Sequence, residues 1–449
     1  MSLYDLATGR GTERVDAGML SYSDGFDGRQ VWHADATGMP VVESNAVNRL
    51  DALAMAHFYG RRGPERPVVR PLRATPATVV LRLTYRSLPE PLDVSLNART
   101  ALVERIEDPT DGTPVKITFS DYRVAARAVM PFSARLTAPE RTISEHVVSV
   151  EELHTIPASA FAPPAPPNDT ALEGITSVAM RIDDDRPIIP VRIDGGPTLH
   201  MLLDSGSVNV LATAAARRLH LVLAGADKTG GIGAGLETQR FTRANRLEIG
   251  AAVLRRQPFA VMDSVERGTD GAIGCEVFER LAVRLDFENR RVQLARDARS
   301  FGELGAPVPM RLNACSPEVD GSVDGIGGPL LIDTGSGSAL DVFTPVVRKH
   351  RLIARYEASV PSTSRGTGGA LYAYWAYAGR VRLGRKSIAH VPIELDWMER
   401  GAFSSTANLG NVGIALLRAF TPAFDYRRGT LWLLDATGGV FSWPCMPSR

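Results

Sequence analysis

The sequence predicts a mainly β chain: two tandem small β units facing each other across a pseudo-twofold cleft, preceded by an α+β domain built on a curled sheet. Three observations carry this. The phrase "LLDSGS" (Leu202 to Ser207) returns as "LIDTGS" (Leu331 to Ser336). The ends of the two repeated segments match without gaps. A proline-rich stretch, "FAPPAPPND" (Phe161 to Asp169), separates the repeat from everything before it. Its prolines disfavour helix and central strand, so it reads as a semi-rigid extended linker.

At 449 residues the chain is too long for one ordinary core. The divisions expected are residues 1–161, a linker at 162–170, and two units at 171–302 and 303–449. Composition is that of a globular protein, 44% hydrophobic and 22% charged. Basic and acidic residues number 51 and 50, a net charge of +1, which leaves no electrostatic footprint for nucleic acid. No stretch approaches the ~20 apolar residues needed to span a bilayer. The three cysteines, Cys275, Cys315 and Cys445, form no C-x-x-C pair, and the eight histidines have no triad or metal spacing, so no metal or cofactor is expected. A Cys315–Cys445 bridge is one option and three unpaired thiols the other. His220 and His350 recur in the repeat and read as surface residues of charged helices.

The N-terminal part reads as antiparallel sheet. "TVVLRLTYRS" (Thr78 to Ser87) alternates apolar and polar residues, and Asp111-Gly112 is a hairpin turn signal between later runs. Ser44 can cap a helix to Tyr59, with Val47, Leu50, Leu53, Ala54 and Phe58 on one face. With "DGFDGRQVWHAD", "ITFSDYRVAARAVMPFSARLT" and "ASAFAPP", this order resembles the half-barrel of bacterial outer-membrane lipoprotein-carrier proteins over roughly residues 1 to 165. The resemblance implies a concave apolar surface for an acyl chain, a lipoprotein or another protein segment; a packed sheet with no ligand is the alternative.

In the repeat, each Asp is followed by a small-residue turn, an apolar run, and then a basic pair ahead of His and Leu, which reads as strand, turn, strand, short helix. "AIGCEVFERLAVRLDFENRRVQL" from Ala272 matches "NVGIALLRAFTPAFDYRRGTLWL" from Asn411, with Asp286-Phe287 and Asp425-Tyr426 at the same step. An ungapped match of this length marks two copies of one unit. A lone D-[ST]-G is usually turn chemistry. Two copies behind paired aliphatics, each trailed by an apolar-Gly element, point to paired carboxylates.

This part resembles the aspartic peptidases over about residues 175 to 437: each unit is similar to a retropepsin protomer, joined head to tail as in pepsin-like enzymes. The resemblance implies acid-protease-type barrel lobes with Asp204 and Asp333 as the catalytic pair. One acid takes a proton from water while the other polarises the carbonyl. Two carboxylates at ~3 Å share a proton, behaviour for which aspartic proteases are themselves the standard example. Gly206 and Gly335 let the turns approach, the Ser205 and Thr334 hydroxyls could bond across the axis, and Ser207 and Ser336 could hold the outer carboxylate oxygens. Gly274 and Gly413 would let a strand cross close behind each turn.

Two glycine-rich stretches, Thr229 to Arg240 and Ser364 to Tyr377, fall where the family has its flaps, making Gly231, Gly233, Gly368 and Tyr372 flap candidates. Gly231, Gly233 and Gly235 mimic a nucleotide loop, but no amphipathic helix follows to complete a phosphate cradle. The implied substrate is an extended polypeptide bound by backbone pairing. The implied location is outside the cytoplasm of a bacterium, periplasmic or secreted, with the signal segment absent from this chain; the cytoplasm is the alternative. Two other readings stand beside the endopeptidase: a catalytically quiet peptide-, lipid- or lipoprotein-binding protein, and an N-terminal domain acting as an inhibitory pro-segment.

Overall fold

In the computed structural model the described residues are 1–5, 8–43, 66–86, 91–108, 115–125, 128–138, 141–313, 315–356 and 359–436. The expected Ser44 to Tyr59 helix, the Asp111-Gly112 turn and Cys445 lie outside them. The chain is mainly β. Residues before the proline-rich stretch form two antiparallel meanders, a five-stranded sheet from Ser2–Asp5 to Pro40–Glu43 and a seven-stranded sheet from Val68–Ala74 to Arg141–His146.

The proline-rich stretch is tied down at both ends. Phe161, 1% exposed, gives its carbonyl to the Trp32 indole N–H at 2.9 Å. Asp169 accepts from the buried Arg280 guanidinium at 2.8 Å, and Arg280 also donates to Thr37. One arginine thus joins the first sheet, the proline-rich stretch and the segment behind the first Asp motif.

Beyond it, the same closed ring of strands occurs twice. In the first barrel Arg186–Ile193 pairs with Thr198–Leu203, then in turn Gly271–Ile273, Val210–Ala212, Ala252–Met262 and Glu237–Ile249, which returns to the first strand. In the second barrel Ser316–Val323 pairs with Ile326–Ile332, then Gly410–Val412, Leu340–Val342, Lys386–Asp396 and Gly369–Leu383, which closes on the first strand. Short helices, Thr213–Arg218 and Thr344–Lys349, follow each Asp-bearing turn. His220 and His350 are exposed just past their ends.

The apolar alternation of these strands sends Leu203, Ile273, Leu211 and Val261 into one core with Ile332, Val412, Leu340 and Leu395 of the second barrel. A six-stranded sheet links the barrels, taking three strands from each side of the 302/303 division. Its central pair places Arg284 opposite Ala423. Each lies two residues before the Asp of the repeat, Asp286 or Asp425, so the twofold relation passes through that rung.

A disulfide joins Cys275, behind the first Asp turn, to Cys315 at the start of the second barrel, with Cα atoms 5.8 Å apart. This corrects the Cys315–Cys445 option and the reading of three idle thiols. The cysteines sit 40 residues apart in sequence but meet because the Gly274–Cys275 corner packs against the second barrel's first hairpin. Closing a loop of this length is worth about 2–4 kcal/mol. Reductant, or Cys315→Ser, should therefore lower the unfolding free energy measured in urea by that amount; identical values would mean that the bridge does not form in solution.

Candidate active site

Each Asp stands at the end of a strand that pairs in parallel with a short apolar strand: Leu203 with Ile273, and Ile332 with Val412. The Asp204 amide donates to the Ile273 carbonyl and the Asp333 amide to the Val412 carbonyl, at 2.9 and 2.8 Å. The crossing is close. A Cβ on Gly274 would strike the Ser207 carbonyl, and one on Gly413 would come within 2.7 Å of the Ser336 carbonyl.

The two turns lock into each other. The Ser205 amide donates to Thr334 Oγ1 at 2.9 Å, and the Thr334 amide donates to Ser205 Oγ at 3.0 Å. Each hydroxyl in turn donates to the strand across the axis, Ser205 to the Ile332 carbonyl and Thr334 to the Leu203 carbonyl, both at 2.7 Å. Both residues are fully buried. The Tyr426 hydroxyl, also buried, donates to the Ser205 carbonyl at 3.3 Å from below. A Cβ on Gly206 would lie 2.9 Å from the Asp333 carboxyl carbon, and one on Gly335 would strike Asp204, so only glycine admits the opposing acid.

The Asp204 and Asp333 carboxyl groups face each other across the interlocked turns, each lying against the glycine that follows the other acid. Burial, then the Asp333 charge, pushes Asp204 well above the usual carboxylate range. Burial also raises Asp333, but donors to its anion oppose the shift: Asn411 Nδ2 at 3.1 Å, the Gly335 amide at 2.8 Å, and Asp204 itself. On Asp204 the Gly206 amide, at 2.9 Å, and the more distant Arg186 charge act in that direction. The hydrogen-bond donors around the pair thus favour the anion more on Asp333 than on Asp204.

The Ser207 and Ser336 hydroxyls do not hold the outer carboxylate oxygens, although the Ser336 backbone amide acts on Asp333. The Ser207 hydroxyl donates to the Val208 carbonyl and the Ser336 hydroxyl bonds Ser338 Oγ, because each turn directs these side chains along its own backbone. Asn411 takes that place on Asp333. Its signal in the sequence is a mismatch in the repeat, Asn411 standing where the first copy has Ala272. Asn209 has a bracing role that motif reasoning missed: its Oδ1 accepts the Gly274 amide at 2.9 Å, and its own amide donates to Glu276 at 2.7 Å. Burial pushes the Glu276 carboxyl up to about 7.

The glycine-rich stretches form the turns of two hairpins, between Ala224–Thr229 and Glu237–Ile249 and between Val360–Gly366 and Gly369–Leu383. Their tips meet. The Gly233 amide donates to the Thr367 carbonyl and the Gly235 amide to the Gly368 carbonyl, both at 2.8 Å, and the Gly368 amide donates to Glu237 at 3.0 Å. Gly231 abuts Thr367 closely enough that a Cβ there would lie 2.6 Å from the threonine Cβ. Tyr372 belongs to the second hairpin but alternates with the buried Leu371 and Ala373, so it faces the other way and is 56% exposed. Trp375 shares the face of Ala373.

A family model described as aspartyl protease matches residues 189–277. No curated protein matches the chain. Among solved structures, the aspartic proteinase from Irpex lacteus is similar at 13% identity over 59% of this chain and 98% of that one, TM-score 0.40. A retropepsin-like aspartic protease from Rickettsia conorii shares 16% identity over 27% and 89% of the two chains, TM-score 0.21. Basic 7S globulin from soybean shares 9% over 58% and 94%, TM-score 0.34.

The interlocked turns make a stability prediction. Thr334→Val keeps shape but leaves the buried Ser205 amide without an acceptor and the Leu203 carbonyl without its donor. The expected loss is about 2–4 kcal/mol in urea unfolding; a loss under about 0.5 kcal/mol would show that the turns are held by something else.

Proposed function

We propose that this chain is an aspartic-type endopeptidase in which Asp204 and Asp333 hydrolyse a peptide bond of an extended polypeptide. The observation that carries the reading is the pair of half-buried carboxyl groups brought face to face by the interlocked turns and unequal in their donors. Asp333, held ionised by Asn411, takes a proton from a water molecule. The water oxygen bonds to the peptide carbonyl carbon, and the Asp204 proton moves to the carbonyl oxygen, giving a neutral gem-diol. Asp333 then passes its proton to the amide nitrogen, the C–N bond breaks, and one diol hydroxyl returns its proton to Asp204. The meeting hairpins support a substrate enclosed above the pair, which requires the tips to part for entry. The Cys275–Cys315 disulfide supports a location outside the cytoplasm, where such bridges persist.

The test is a peptide library incubated across several pH values with the full chain and with Asp204→Asn, Asp333→Asn and the double variant. The full chain should cleave, and all three variants should lose more than about 1,000-fold, equally, because the acids act as one unit. Melting temperatures at neutral pH should hold or rise. Both groups have folded pKa values raised above the unfolded one, so ionising them costs stability that Asn does not incur. No cleavage by the full chain would favour the quiet binding protein; loss in only one single variant would mean that the acids are not a pair.

A further inference from the structure

The two barrels carry unlike side chains on equivalent rungs. Strand pairing sets one row of residues across each sheet on the side away from the core. In the first barrel the row runs Leu202, Ala272, Val210, Ala260, Phe241. In the second it runs Leu331, Asn411, Asp341, Glu394, Trp375. Two residues further along the Glu394 strand, on the same face, stands Asp396, where the first barrel has Met262. The alternating residues Leu340, Val342, Ile393 and Leu395 fill the core, so the row lies on the opposite face, where Asn411 reaches Asp333 at 3.1 Å and Leu331 packs against Leu371, Met398 and Phe403.

Three acids thus stand together where the other barrel is wholly apolar. Asp341 is 4% exposed and Asp396 2% exposed. Ser338 donates to Asp341 at 2.5 Å, and Asn411, paired with Asp341 on the neighbouring strand, donates to Asp333. One Asp396 carboxyl oxygen is buried with no hydrogen-bond partner. Among the described residues no basic side chain is paired with the three: burial raises each, Glu394 raises Asp341 further, and both raise Asp396. A buried acid either meets a cation or gives up its charge, and a cation brought to these three would recover the charged form. Packing alone does not call for them, since Val210, Ala260 and Met262 fill the same rungs in the first barrel. The described acids do not group in a way that could hold a metal ion, which leaves a cation carried on a flexible chain. Trp375, next on the row, offers a ring suited to the stem or head of such a group.

We propose that Asp341, Glu394 and Asp396 form an acidic subsite that takes a Lys or Arg side chain of the substrate next to the scissile bond, while the apolar row of the first barrel takes an apolar side chain on the other side. The proposal deepens the endopeptidase reading and rests on it for the reaction, not for the binding.

Two peptides that differ only in Lys or norleucine at the residue flanking the scissile bond test it. The full chain should cleave the Lys peptide with at least 10-fold higher kcat/KM. Glu394→Gln and Asp396→Asn should each bring that ratio toward one. A wild-type ratio near one, or a ratio unmoved in both variants, overturns the subsite and leaves the peptidase reading standing. The second arm is calorimetric binding of both peptides to the Asp204→Asn chain, where the Lys peptide should bind at least 10-fold tighter and lose that advantage on adding Asp396→Asn. If nothing is cleaved but this preference holds, the peptidase reading fails and the subsite stands. Equal binding of the two peptides, or binding of neither, overturns it.

Discussion

Four buried hydrogen bonds between Ser205 and Thr334 and the strands they cross are the constraint on which the rest depends. Each barrel contributes one acid, and one acid cannot both accept and donate in the same step. The interlocked hydroxyls, themselves fully buried, bring the second acid to the first and hold it there. Glycine at 206 and 335, glycine behind each turn, and the parallel strand pairs all serve this approach. The six-stranded sheet and the Cys275–Cys315 bridge hold the barrels together from behind.

The floor is symmetric in backbone and unsymmetric in charge. Asn411 gives Asp333 a donor that Ala272 cannot give Asp204, so one environment favours the anion and the other the acid. The same asymmetry continues outward along the second barrel as Asp341 and Glu394. A duplicated unit has kept its fold, through Leu203 and Ile332 or Ile273 and Val412, while the residues between those core positions differ in chemistry. Strand periodicity permits this, because alternate side chains answer to different surroundings.

The doubled Asp phrase and the matched apolar-Gly segments are legible in the sequence because the repeat supplies its own comparison, and the barrel order follows from them. What remained illegible depends on contacts distant in sequence. The hydroxyls of Ser207 and Ser336 look poised to hold the acids, but turn geometry sends them to Val208 and Ser338. Cys275 and Cys315 meet only through packing of the two barrels. Tyr372 belongs to the hairpin as its neighbours do, yet one step of register turns it outward. Asn411 is visible as a departure from the repeat, but its partner Asp333 is set by a parallel strand pairing that no local pattern predicts.

The account turns on where one proton sits. Neutron diffraction from a perdeuterated crystal at mildly acidic pH measures it directly. The expected result is a single deuteron between the two carboxyl groups, covalently on Asp204, with Asn411 donating to a bare Asp333. Deuterons on both acids, on neither, or on Asp333 alone would contradict it.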